Sequence, residues 1–296
     1  MLTRLLPVFV ALLLAAPSRA AISVVATTTS MGMLVRTVGG GRVSVTVLAP
    51  PDRDAHSLQA RPSMILAARR ADLVVAVGAE LEIAWLPAVL QSASNARVLP
   101  GQPGYFEAAA AVDLIETGEA ADRSRGDVHP AGNPHVYMDP ERMAQVARAL
   151  AARLAALDPG GASQYRANAE SFAASAAVRI EAWKSRVAGA PGALLYHKDV
   201  NYLMARLGLP VLGYIEPIPG VPPTAQHLRN LVQRFTGQRG VILHTTAQPP
   251  QGPDFLAKGL GWAATRLPLE PSVDATADDY FALIDRWVTA LAGARS

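Results

Sequence analysis

Cysteine is absent from all 296 residues, and this excludes several chemistries at once. No disulfide can form, no thiolate can act as nucleophile or soft metal ligand, and no lipid can be attached to a cysteine behind a leader. Any metal site must therefore use nitrogen and oxygen. Charge of one sign is lacking as well: 27 basic residues stand against 24 acidic ones. No Lys or Arg run offers a footprint for nucleic acid or anionic lipid. Beyond residue 20, no stretch reaches the ~18 uncharged apolar residues of a membrane span. Low-complexity tracts are missing too, the 23 glycines and 23 prolines being scattered as turn residues. What is there is apolar enough to fold, at 50% hydrophobic and 17% charged, and long enough to expect two lobes.

Residues 1–20 read as a cleaved signal peptide. Arg4 gives a positive start, Leu5 to Ala16 an apolar run, and Ser18-Arg19-Ala20 small residues for a peptidase. The expectation is a monomer in the periplasm, without a lipid anchor.

The remainder alternates strand and helix patterns. In the first half, strands are expected at Ile22–Thr27, Val43–Leu48, Leu73–Val77 and, more weakly, Arg97–Leu99. Helices are expected at Met31–Val38, Pro62–Arg70 and Ala84–Leu90. Pro140–Leu157 follows as a helix capped by Asp139, and a second, longer helix runs from Ala162 to Val187. Strands then return at Ala193–Tyr196, Val211–Ile215, Gly240–His244 and Ala263–Leu267. Helices begin near Asp199, Thr224 and Asp254, and a last one spans Asp278–Ala292. Alternation of this kind predicts an α/β fold of two similar parallel-sheet lobes joined by one long α-helix, with a cleft between them. The expected division is residues 21–160, a linking helix over 161–189, and 190–296.

Six histidines are present, and four fall where a strand has just ended or a helix is about to begin: His56, His135, His197 and His244. In open parallel sheets such strand ends face the ligand crevice. One histidine so placed is more often a cap or a carbonyl partner than a ligand. Four of them, in a chain without cysteine, point to a metal. His129 lies in the turn-rich loop Gly126–Gly132 and His227 on a helix, where a solvated or packing role is the simpler one.

The residues around these histidines resemble the metal-binding subunits of zinc and manganese ABC importers, over the chain from about Val24 to its end. Gly132-Asn133-Pro134-His135-Val136-Tyr137-Met138-Asp139-Pro140 is similar to that family's G-N-P-H-x-W-x-D-P segment. Asp54-Ala55-His56-Ser57, Gly78 to Trp85 with Glu82, and Leu195-Tyr196-His197 are similar to three further segments, in the right order. The resemblance implies His56 and His135 as ligands from the first lobe and His197 from the second. Three imidazoles suit Zn2+, whereas relatives that carry Mn2+ tend to have a carboxylate in the third position. The fourth position departs from the pattern, since Arg266 to Pro271 lacks the usual aspartate. His244 is a tentative fourth ligand, or a residue that orients His197. Glu216 and water are the alternatives. A single His129 could gather metal, as histidine-rich loops of some relatives are thought to do.

The resemblance thus implies a periplasmic protein, not an enzyme, that captures a divalent transition metal and delivers it to an inner-membrane permease with its ATPase. A binder of a metal chelate or small organic ligand, or a secreted zinc hydrolase, are the rival expectations. No H-E-x-x-H motif supports the hydrolase.

Overall fold

A computed structural model describes residues 21–118 and 126–293; the expected leader, residues 1–20, lies outside the described residues. The chain forms two parallel four-stranded sheets of the same design. The first takes β1 (Ile22–Ala26), β2 (Val43–Val47), β3 (Leu73–Ala76) and β4 (Tyr105–Glu107) in the order β2-β1-β3-β4. The second takes β5 (Ala193–Leu195), β6 (Val211–Tyr214), β7 (Val241–Thr245) and β8 (Ala264–Leu267) in the order β6-β5-β7-β8. In each sheet the chain starts centrally, steps to one side and crosses to the other. This leaves a switch point whose strand ends open onto a crevice.

The helices of the first lobe are α1 (Thr29–Gly39), α2 (Pro62–Arg70) and α3 (Leu86–Ala93). Then come α4 (Pro140–Leu157) and the long α5 (Ala162–Val187). In the second lobe α6 (Asn201–Leu207), α7 (Ala225–Phe235) and α8 (Gln251–Leu260) follow their strands, and α9 (Ala277–Ala292) closes the chain. Local chemistry sets several ends. Asp139 accepts from Glu141 N to start α4, Thr224 accepts from His227 N to start α7, and Thr276 with Asp279 forms a capping box on α9.

The fourth strand of the first lobe is Tyr105–Glu107, not the expected Arg97–Leu99. Residues Ala96–Val98 instead make a 3₁₀ turn. Asn95 causes this: its Oδ1 accepts from Arg97 N while its Nδ2 donates to the carbonyls of Ala68 and Ala71. The chain is turned there before it can extend.

α5 buries Tyr165, Ala169, Phe172, Ala173, Ala176, Ile180, Trp183 and Val187, a single stripe at steps of three and four. The ring of Phe172 stacks on Phe281 of α9 with centroids 5.1 Å apart, and Trp183 Nε1 donates to Asp285. This stripe belongs to one apolar core that passes from Val24 and Leu34, through Leu150 and Tyr165, to Leu195, Leu243 and Trp287. Separate smaller cores lie under α2 and α3 and under α7 and α8. Polar links also cross between the lobes. Asp139, fully buried, accepts from Arg206 Nε at 2.9 Å and Arg206 Nη2 at 3.0 Å, and Tyr202 Oη donates to the Asn133 carbonyl at 2.6 Å.

Candidate metal centre

His56, His135 and His197, separated by up to 141 positions in the chain, each offer a ring nitrogen to one point, those atoms lying within 4.8 Å of one another. Their ring centroids are 5.1 Å (His56 to His135), 5.5 Å (His135 to His197) and 5.7 Å (His56 to His197) apart. They border a cavity of about 410 Å3 between the sheets, to which Tyr137, Asp199 and Glu270 also contribute.

Each ring is aimed by its own neighbours. His56 sits in a 3₁₀ turn after β2, where Asp54 Oδ1 accepts both its backbone N at 2.9 Å and its Nδ1 at 2.7 Å. That turn is pinned from behind by Trp85 Nε1, which donates to the Ala55 carbonyl at 2.8 Å. The loop bearing Trp85 is in turn closed by Glu82, whose carboxylate accepts from Val77 N, Gly78 N and Thr27 Oγ1. His135 precedes the 3₁₀ turn Val136–Met138, and Asn133 Oδ1 accepts its N at 2.9 Å and its Nδ1 at 2.8 Å. Asn133 Nδ2 donates across to the Lys198 carbonyl, which fixes the amide so that Oδ1 is the end facing His135. Gly132, one residue earlier, has φ +124°, and a Cβ there would lie 2.7 Å from Leu114 Cβ, so only glycine fits. His197 follows β5, and Glu216 Oε2 accepts from its Nδ1 at 2.8 Å.

Carboxylate and fixed amide oxygens only accept, so each Nδ1 carries the ring hydrogen and each Nε2 presents a bare lone pair. Three lone pairs are thus turned toward one point in a buried place. This is the arrangement of a cation site, with an outer oxygen partner for every ring. Electrostatics differ among the three. Burial, together with the neighbouring rings of His56, His197 and His129, holds His135 well below the ordinary imidazole range. Burial would lower His197 as well, but its bond to Glu216 and the charges of Asp199, Glu216 and Asp54 outweigh that and leave it raised. Asp54 is held at about 2, its two bonds from His56 outweighing the desolvation that would raise it.

The structure does not bring His244 to this group. Alternation along β7 places Leu243 in the shared core and Ile242 in the outer core beneath α7 and α8, and His244 has the parity of Ile242. Burial and the charge of Arg266 lower its pKa against the opposing charge of Asp254 on α8, and both ring nitrogens are buried without a hydrogen bond. The orienting role weighed for His244 falls to Glu216. His227 bonds the Tyr214 carbonyl through Nε2. Two acidic residues border the cavity that the sequence reading does not assign to the site. Asp199, directly after the Tyr196-His197 segment, is paired with Gln248 Nε2, and Glu270 has one oxygen on Thr29 Oγ1 and Ser30 N and the other buried without a partner. An acidic residue just past the last strand was the one signal for Glu270.

Comparison with known proteins agrees with this geometry. Residues 24–294 match the sequence model of the family described as zinc-uptake complex component A, periplasmic. The chain is 27% identical over 288 residues to the high-affinity zinc uptake system protein ZnuA of Yersinia pestis, covering 91% of this chain and 90% of that one. A manganese-binding lipoprotein, MntA of Halalkalibacterium halodurans, is 25% identical over 142 residues, about half the length of either chain. A crystal structure of ZnuA superposes with a TM-score of 0.77 at 22% identity, covering 93% of this chain and all of that one. The binding protein FpvC of Pseudomonas aeruginosa in complex with Mn2+ superposes at 0.78 and 23% identity over 92% of this chain. At those identities the structures establish the two-lobed fold, and the family match over nearly the whole described chain does the rest. The chain belongs to the zinc-uptake component A family of periplasmic metal-binding proteins that serve ABC importers, a family of transport subunits and not of enzymes.

Proposed function

We propose that this protein captures Zn2+ in the periplasm through Nε2 of His56, His135 and His197 and hands it to an inner-membrane permease driven by an ATPase. The observation that carries the proposal is the convergence of three imidazoles, each with its Nδ1 hydrogen committed to an oxygen acceptor. Neutral imidazoles at ~2.0–2.1 Å are good zinc ligands, and a tetrahedral shell leaves one further position. Mn2+ is the second reading, supported by the manganese-binding relative and by the carboxylates of Asp199 and Glu270 that border the cavity. Copper and nickel would also accept the three nitrogens, and availability would then decide. The mature chain acts as a monomer without a lipid anchor, its leader removed after residue 20. Its lobes are residues 21–160 and 190–296, with 161–189 between them.

Two ligands come from the first lobe and one from the second, so the ion ties the lobes together. The core shared between them restrains rigid-body opening, and the difference between loaded and empty protein resides in the ligand-bearing turns. The test is metal analysis of untagged protein, followed by competition titration against a chromophoric chelator. One equivalent of zinc, lost when His56, His135 or His197 is changed to Ala, is the expected result. Zinc retained in all three variants refutes the assignment.

A further inference from the structure

A second cavity opens in the first lobe, apart from the three histidines. It holds about 580 Å3 between α3, the chain that follows α3, and the ends of β3 and β4, and it shares no lining residue with the metal cavity. Most of its wall is apolar: Ile83, then Leu86, Pro87 and Leu90 of α3, with Leu99 and Pro100 beyond the turn. Ile83 is 47% exposed and Leu99 38%, so this lining is wet apolar surface that nothing among the described residues covers.

The cavity is built into the fold. α3 ends at Ser94, in the left-handed conformation with φ +53°, and Asn95 Nδ2 then donates to the carbonyls of Ala68 and Ala71 at 3.0 and 2.9 Å. The outgoing chain is thereby tied to α2, and Ala96 to Pro100 is held apart from α3. Glu107, the last residue of β4, lies against Gly78, where an added Cβ would stand 3.0 Å from Glu107 Cβ. Tyr105 Oη donates to Glu107 Oε1 at 2.9 Å and fixes the carboxylate. Burial, together with the charge of Glu107, pushes the Tyr105 phenol well above its ordinary range, so it remains a donor.

Charge decides what such a chamber takes. Glu80, Glu82 and Glu107 border it, and among the described residues no Lys or Arg does. Glu82 is spent on Thr27, Val77 and Gly78. Glu107 is held by the Tyr105 hydroxyl, and no described cation pairs with it. Two guanidinium groups at the same turn are engaged, Arg97 with Asp72 and Arg69 with the Ala93 carbonyl. An apolar chamber of ligand size that contains one fixed carboxylate suits a guest with an apolar body and a positively charged, hydrogen-bonding head. An anion of the same shape would meet Glu107 like charge to like charge.

We propose that this cavity is a second ligand site, for a small apolar ammonium compound whose head pairs with Glu107. The site stands independently of the three histidines.

Phenylbutylamine, phenylbutanol and phenylbutyrate share one body and differ in the charge of the head. Each is titrated into the mature chain in excess zinc and followed by amide NMR and calorimetry. The amine should bind roughly tenfold more tightly than the alcohol, with shifts centred on Gly78, Leu90 and Glu107, and the carboxylate should bind most weakly. Glu107→Gln should bring the amine to the affinity of the alcohol. Ile83→Lys, at an exposed position, should place its own ammonium in the cavity and abolish amine binding. Both variants should bind zinc as wild type does, which reports an intact fold. No shift at these amides with millimolar amine, or equal binding of amine and carboxylate by wild type, overturns the proposal. Self-association of the wild-type chain through Ile83 also overturns it, since a second copy would then be the occupant. Failure of the three-histidine site would show separately, as zinc binding indifferent to His135→Ala.

Discussion

Changing Glu216 to Gln tests whether the oxygen behind His197 matters to an ion that it does not touch. Glu216 Oε2 lies 2.8 Å from His197 Nδ1 and also accepts from Gly220 N at 3.0 Å, so the carboxylate is itself fixed. The amide retains one acceptor oxygen but loses the charge that makes Nε2 a stronger donor. It can also turn its NH2 toward the ring and favour the wrong tautomer. Loss of such an outer partner typically weakens metal affinity about 10–100-fold, or roughly 1.4–2.8 kcal/mol. At saturating zinc the same loss should reduce the metal-induced rise in Tm by roughly 3–8 °C. Glu216 also raises the His197 pKa, so in wild type a proton competes with zinc for that ring as the pH falls. The variant relieves part of this competition. The affinity gap should therefore be wider at pH 8 than at pH 6, read by chelator competition at both. Equal affinities at pH 8, or a gap that widens on acidification, would refute the reasoning.

Across pH 8 to pH 6 wild-type zinc affinity should fall, by up to about one decade per unit, because protonated His197 cannot ligate while buried His135 stays neutral. Calorimetry in buffers of different ionisation heat should count about one proton or fewer released per ion near neutrality. His244→Leu should leave zinc binding intact and stability equal or improved in urea melts, since it removes two buried ring nitrogens that have no partner. Asp139→Asn breaks a buried carboxylate away from Arg142 and Arg206, whose side chains are about one-fifth exposed, and should cost about 2–3 kcal/mol of unfolding free energy. Chelation of bound metal should lower Tm without altering the far-ultraviolet dichroism, because the core does not depend on the ion.

Much of this was legible in the sequence because the informative patterns are local. β-branched runs alternating with helical periodicity give two parallel sheets, and the segment Gly132–Pro140 gives His135 together with Asn133, the acceptor that aims it. Three things were not legible. The edge strand Tyr105–Glu107 has only three residues, too few for a period, and the amide of Asn95 displaced the expected strand from Arg97. His244 ends a strand, as expected, but a one-residue difference in parity decides whether a side chain meets the crevice or the outer helices, and strand-end logic does not contain it. His129 lies in a loop of turn residues with no periodicity at all. Its position against His56 arises from contacts with Ala79 and Pro219, far away along the chain.

The stripe along α5 has a further consequence for how the molecule comes apart. Tyr165 and Phe172 at one end and Trp183 and Val187 at the other are seated in the same apolar mass, to which both sheets contribute. Neither half is a folding unit by itself. A fragment ending at Gly161 would strip α5 from the core that Val146 and Leu150 share with it, and one beginning at Ala190 would leave Phe281 without Phe172 and Trp183, the rings it lies against. Proteolytic nicking in the Asp158–Gly161 turn should yield two pieces that stay associated until the whole assembly melts in one transition.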